Sequence, residues 1–150
     1  MQDRPSVLEL LRAVREFLED DLVPTLEGRR RFHALVAGNV LAIVERELQG
    51  EEEQLGRQWD RLAELFALDR AARPAAVSAL RATVRDLETR LVERIRAGEA
   101  DVGDFAGRVR AHVRAAVVEK LAVANPRYLE GFGRGTRDSV SGRHRERAET

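Results

Sequence analysis

Apolar residues recur every three or four positions along most of this 150-residue chain, a spacing typical of amphipathic helices. Ser6, with Glu9 three residues later, matches a capping box, and the helix that it begins should stop before Pro24. No segment alternates apolar and polar residues over a convincing length, so no sheet is predicted. Five helices are predicted: from Ser6 to before Pro24, over 28–48 with Gly50 ending it, over 51–66, from Pro74 to a C-cap at Gly98, and from a cap at Asp101 or Asp104 to Asn125.

Each predicted helix has one apolar face, and these faces should pack against one another. On the first and second helices the faces comprise Val7, Leu10, Leu11, Val14, Phe17 and Leu18, and Phe32, Leu35, Val36, Asn39, Val40 and Ile43. On the last three they comprise Leu55, Trp59, Leu62 and Phe66, then Val77, Leu80, Val84, Leu87, Leu91 and Ile95, then Val102, Phe105, Val109, Val113, Ala116 and Val117. We therefore predict an all-α fold, an antiparallel bundle of about five helices over residues 1–129, with a flexible Gly/Arg-rich tail over 130–150.

Charge and cysteine content narrow the classes of function. The chain has 26 basic and 26 acidic residues, so no net field steers it toward nucleic acid or acidic lipid. It has no cysteine, and no stretch approaches the roughly 18 apolar residues that a membrane span needs. These features predict a cytoplasmic protein that binds neither nucleic acid nor a membrane.

The second helix carries an asparagine in the middle of its apolar face. With Phe32 at zero on a helical wheel, Asn39 projects at about 340°. A buried amide must be hydrogen-bonded, because leaving it unpaired costs about 1–3 kcal/mol. We expect Asn39 to be interior, either as a determinant of helix pairing and register, as a lone asparagine is in coiled coils, or as a group that orients a ligand in a pocket.

Other polar residues lie on or beside apolar faces. Arg29, His33 and Glu47 follow the edge of the second helix's face, as a solvated border does. If that helix instead lines a cleft, Arg29 would hold a carboxylate or phosphate while His33 titrates or donates. Lys120 lies on the face of the fifth helix, where it either reaches solvent at the helix end or is desolvated. The candidate ligand-binding residues are therefore Arg29, His33, Asn39 and Lys120.

No arrangement typical of a catalytic or metal centre occurs in the sequence. The histidines His33, His112 and His144 do not stand in Glu-x-x-His or His-Glu-x-x-His motifs, so a di-metal bundle is not predicted. Neither a Ser-His-Asp spacing nor a phosphate-binding loop is evident. Three consecutive glutamates, 51–53, are interpreted as a cap at a helix N-terminus. We predict no catalytic residue, metal or cofactor.

Two segments carry a likeness to a known family. The opening MQDRPSVLELLRAVREFLEDDLVPTLEGRRRFHALVAGNVLAIVEREL and the later EKLAVANPRYL resemble DUF6285, a bacterial family of uncharacterised proteins. The family's arginine before Phe-His corresponds to Arg31 or Arg29, and its Ala-Asn pair corresponds to Gly38-Asn39, so Gly38 departs from the pattern. The resemblance implies a small companion of aminoglycoside-phosphotransferase-like kinases and acyl-CoA dehydrogenases, with an accessory role in acyl or hydroxyacyl catabolism.

Two functional hypotheses follow from the surplus of amphipathic helices and the lack of a catalytic motif. The first is a non-catalytic accessory protein that binds a partner enzyme, kinase-like or acyl-CoA-dehydrogenase-like, or self-associates through an apolar helix face. The second is a small-molecule-binding protein or enzyme that acts on an acyl, hydroxyacyl or phosphorylated acid in a pocket lined by Arg29, His33 and Asn39.

Overall fold

The protein is all-α, as predicted, in a computed structural model that describes residues 4–131. No strand occurs within residues 4–131, and none of the helices there combines the length and hydrophobicity needed to cross a membrane. The antiparallel bundle stays a prediction. Residues 132–150 of the predicted tail lie outside the described residues. The main helices are α1 (Val7–Glu16), α2 (Gly28–Phe66), α3 (Val77–Arg96) and α4 (Gly103–Ala124). Shorter elements are a π-helix (Phe17–Leu22) and 3-10 helices (Val23–Thr25 and Arg70–Ala72).

Several helix ends lie where the sequence places them. The backbone N–H of Glu9 donates to the Ser6 hydroxyl (3.3 Å) and the N–H of Ser6 donates to the Glu9 carboxylate (2.6 Å), so the capping box is confirmed. Gly28 begins α2 with φ 53° and Gly98 follows α3 with φ 82°. Glycine adopts this left-handed backbone without the steric cost of a Cβ. α4 ends before Asn125, as predicted.

The predicted helix end at Gly50 is wrong, because α2 continues through it to Phe66. Gly50 is not one of the described glycines with positive φ. One glycine inside a helix costs only about 1 kcal/mol relative to alanine, which is too little to end a helix that has no proline or capping turn at that point. The glutamates 51–53 consequently lie inside α2, and their interpretation as a helix N-terminal cap is also wrong.

The starts of α3 and α4 differ from the prediction as well. α3 begins at Val77 rather than in the turn that holds Pro74. The N-cap residue of α4 is Val102, with no side-chain hydrogen bond, so neither Asp101 nor Asp104 caps this helix. Gly103, with φ 81°, makes the turn into α4, so backbone freedom replaces the expected carboxylate cap.

The chain divides into two compact units, which meet in sequence between Leu55 and Gly56. We call them unit 1 and unit 2, and α2 supplies residues to both. Unit 1 contains α1, the short helices after it and residues 28–55 of α2. Unit 2 contains the rest of α2 together with α3 and α4.

Unit 2 has a core of large apolar side chains. Trp59 and Leu62 of α2 are 2% and 0% exposed, and α3 buries Leu80, Val84, Leu87 and Leu91, which confirms most of the predicted faces of these two segments. Burying one such leucine stabilises the fold by about 1.5–3 kcal/mol.

The buried face of α4 was predicted incorrectly in part. It consists of Ala106, Val109 and His112, whereas Val102 and Val113 are exposed. The buried residues lie three apart and include a histidine, which a count of apolar residues does not register. Because the prediction followed the valines on the adjacent side of the helix, the predicted face included residues that are exposed to solvent.

Candidate functional site

In unit 1, an ion pair and a close approach mark the contact between α2 and the segment formed by α1 and the π-helix. Arg15 donates from Nε to Oε1 of Glu45 (2.9 Å) and from Nη1 to Oε2 of Glu19 (2.8 Å). A Cβ on Gly38 would lie 3.3 Å from the side chain of Glu19. Because Arg15 meets the later residue of α2 and Glu19 the earlier one, the two segments run in opposite directions.

Unit 1 buries very little apolar side chain. Among its described residues only Val23, Ala34, Gly38 and Glu45 are buried. Glu45 is charged and Gly38 has no side chain, so Val23 is the largest apolar group inside. Leu8, Leu11, Leu18 and Leu22 are only half-buried.

Three large apolar side chains of α1, and that of Phe17 directly after it, point to solvent. We call Val7, Leu10, Val14 and Phe17 the α1 face; each is between 52% and 62% exposed. Residues advance by about 100° per position, so these four lie roughly 80–160° around the helix axis from Arg15, which faces α2. The α1 face is therefore directed away from the contact between the two helices.

A second exposed stripe lies on α2. We call Phe32, Leu35, Val36 and Val40 the α2 face; each is between 45% and 63% exposed. Most of it lies about 120–200° around the axis from Gly38, which approaches Glu19 of the π-helix. Unit 1 thus presents two apolar faces on different sides of its helix pair.

Asn39 lies within the α2 face, as predicted, but it is exposed rather than interior. The wheel identified the apolar side of the helix correctly. That side is not covered by the described part of the chain, so its amide faces water. Arg29, His33 and Glu47 are also exposed along the edge of this face, and the rings of Phe32 and His33 lie 6.0 Å apart.

Lys120 belongs to unit 2, whereas Arg29, His33 and Asn39 belong to unit 1. It is exposed on α4 and lines a cleft of about 310 Å³ together with Glu88 and His112. The other lining residues are apolar: Leu91, Val92, Ile95, Val113, Ala116 and Val117. The four candidate ligand-binding residues are therefore divided between the two units, three in unit 1 and one in unit 2.

A polar cluster in unit 2 was missed by the sequence analysis. Glu119 of α4 accepts two hydrogen bonds from Arg61 (3.0 and 2.6 Å) and one from Nε of Arg57 (2.9 Å). Burial disfavours the charged form of Glu119, but the hydrogen bonds from Arg61 and Arg57 outweigh it, so the pKa of this carboxyl lies below its usual value. The (i, i+4) spacing of the two arginines indicates that they lie on the same side of α2, but it does not identify Glu119 as the residue that they bind.

His112 lies beside this cluster and is almost fully buried. Its Nδ1 has no hydrogen-bond partner among the described residues. Burial, and then the positive charge of Arg61, lowers the pKa of the imidazole, while Glu88 and Glu119 oppose that shift in part. A cavity of about 150 Å³ next to it is lined by Arg61, Glu64, Leu65, Arg108 and Ala111.

The chemistry of this cluster is that of a structural ion pair. The carboxylate of Glu119 is held by two guanidinium groups and is a weak base, and His112 is favoured in its neutral form. Within residues 4–131 no three His, Asp or Glu side chains are grouped as a metal ion requires. The cluster fixes α4 against α2 and positions no nucleophile.

Comparison with known proteins identifies a family without an assigned activity. No curated protein and no solved structure matches the chain. The sequence model of one family, described as a domain of unknown function (DUF6285), matches residues 24–128. This match covers most of α2 and all of α3 and α4, so the chain belongs to the DUF6285 family.

Proposed function

We propose that this chain is a non-catalytic helical accessory protein that binds another protein through the exposed apolar faces of unit 1. The supporting observation is that eight large apolar side chains of unit 1, those of the α1 and α2 faces, are about half exposed, whereas among its described residues Val23 is the one large apolar side chain that is fully buried. Each face offers on the order of 400 Å² of apolar surface, within the range of the largest patch on a typical monomer, which is often functional.

Two such faces on one small unit favour protein binding over ligand binding. A small-molecule site is concave and collects polar groups from several elements. Arg29, His33 and Asn39 instead project from a single exposed helix, along a convex surface. The partner class is a kinase-like or acyl-CoA-dehydrogenase-like enzyme, as the family resemblance implies, or a second copy of the chain.

Co-expression with such an enzyme tests the proposal. Light scattering after size-exclusion chromatography should give a mass above that of one chain, 16.9 kDa. Val14→Glu should dissociate a complex formed through the α1 face, and Val36→Glu one formed through the α2 face, because each places a charge within an interface that excludes water. Val118→Glu, at an exposed valine of unit 2, is the matched control and should leave the complex intact.

The proposal is contradicted if the chain keeps the mass of a monomer with and without the enzymes. It is also contradicted if a complex forms but tolerates both substitutions on the faces of unit 1.

A further inference from the structure

We propose that the α2 face pairs with the α2 face of a second copy of this chain, with the two helices antiparallel. This inference rests on the proposed function, because it names the protein that covers one of the two faces. The polar residues of the face identify the second copy, and the charges along its edge set the direction.

Asn39 is the residue that favours a second copy as the partner. It lies between Val36 and Val40 on the exposed stripe, and its carboxamide is both a donor and an acceptor. An unrelated apolar surface would exclude water from this amide and leave it unpaired. Near a two-fold axis the same residue of a second copy donates to it and accepts from it, so the amide is its own complement.

The edge of the α2 face carries opposite charges at its two ends. Residues 29–31 are all arginine, and Glu47 follows on the same edge as Arg29, about five helical turns later. A parallel pair would place the two arginine triplets side by side, which is repulsive. An antiparallel pair that crosses near Asn39 instead brings Arg29 and His33 of one copy close to Glu47 of the other.

The size of the α2 face agrees with this partner. Its four apolar side chains expose on the order of 400 Å², close to the apolar share of the ~800 Å² that each partner gives to a standard interface. The polar edge supplies the remaining contact. Arg29, His33 and Glu47, which the sequence suggested as a ligand site or a solvated border, become residues that determine the direction of pairing.

Disulfide trapping tests the direction of pairing, because the chain has no cysteine of its own. In an antiparallel pair centred near residue 40, position 33 of one copy lies opposite position 47 of the other, whereas the two copies of position 33 are about 21 Å apart along the helices, too far for a disulfide. Mild oxidation of an equimolar mixture of His33→Cys and Glu47→Cys should give a covalent dimer of the two variants. A mixture of His33→Cys and Ser78→Cys, whose cysteine lies at an exposed position of α3, sets the background.

The yield from His33→Cys alone distinguishes the two directions. We expect it to stay at background, because the antiparallel arrangement places these cysteines at opposite ends of the interface. A covalent dimer from His33→Cys alone, in the yield of the mixture, would show a parallel pair and overturn the inference.

The solution mass separates this inference from the proposed function. The wild-type chain should have twice the mass of one chain, Val36→Glu should restore a single chain, and Val14→Glu on the α1 face should stay dimeric. Unchanged helix content by far-UV circular dichroism would verify that the helices of each variant are intact. A wild type that is monomeric at every concentration overturns the inference that a second copy binds the α2 face. If Val36→Glu nevertheless dissociates an enzyme complex, the proposed function stands. If neither Val36→Glu nor Val14→Glu dissociates such a complex, the proposed function fails as well.

Discussion

Replacing Glu119 with glutamine should destabilise unit 2 without changing its shape. The substitution keeps the size of the side chain but removes the negative charge that accepts three hydrogen bonds from Arg57 and Arg61. The two guanidinium groups then lie beside a neutral amide and repel each other. The decrease in the free energy of unfolding should therefore exceed that caused by removing an ordinary exposed salt bridge.

The magnitude follows from the burial of the three side chains. Breaking a fully buried ion pair costs about 3–5 kcal/mol, and an exposed pair is worth about 0–1 kcal/mol. The Glu119 side chain is 15% exposed, but those of Arg61 and Arg57 are 24% and 44% exposed, so solvent screens part of the interaction. We expect Glu119→Gln to lower the free energy of unfolding by about 2 kcal/mol, or Tm by about 4–8 °C.

Urea unfolding followed by Trp59 emission measures this directly. Trp59 is the only tryptophan of the chain and is buried in unit 2, so its emission reports on that unit. Protein concentration is held constant, because association raises apparent stability. Glu64→Gln, an exposed glutamate of α2, is the matched control and should cost less than about 0.5 kcal/mol. Equal losses for the two variants would refute the role assigned to Glu119.

Three further substitutions have expected outcomes. Because the pKa of His112 is lowered in the folded state, this imidazole takes up a proton at lower pH in the folded chain than in the unfolded chain. The contribution of His112 to stability is therefore present above the unfolded pKa of about 6.5 and is lost as the pH falls toward the folded pKa. Urea midpoints of His112→Gln should accordingly depend less on pH between 7 and 5 than those of the wild type, and parallel curves would contradict this. Ser6→Ala removes the cap of α1 and should cost about 1 kcal/mol, seen as faster amide hydrogen exchange in α1, whereas unchanged exchange would show that the cap is not stabilising. Gly56→Ala puts a Cβ 2.5 Å from the flexible end of Arg73, which can move aside, so the gain in helix propensity should raise stability by up to about 1 kcal/mol; a loss would show that Arg73 is held in place.

Local sequence signals predicted the elements of the fold because they act over a few residues. The capping box at Ser6, the glycines that begin α2 and follow α3, and the proline after Asn125 each determine backbone geometry on their own. The helix end predicted at Gly50 was wrong because a glycine ends a helix only when the chain beyond it turns away, and the residues after Gly50 continue α2.

The candidate interaction surface could be predicted only in part. Periodicity placed Val36, Asn39 and Val40 on one side of a helix, and the structure has them there. Periodicity identifies the apolar side but does not say whether this chain covers it, so Asn39 was expected inside. The Glu119 cluster joins residues about sixty positions apart, a pairing that no local pattern encodes.

The most direct test of whether the exposed apolar surface of unit 1 binds protein is sedimentation equilibrium. It compares the wild-type chain with Val36→Glu over roughly two orders of magnitude in concentration. Because Val36 is exposed, its replacement leaves the interior of the chain unchanged and alters only the α2 face. We predict a wild-type mass of twice 16.9 kDa and a single-chain mass for Val36→Glu. Equal masses for the two chains would contradict association through this face.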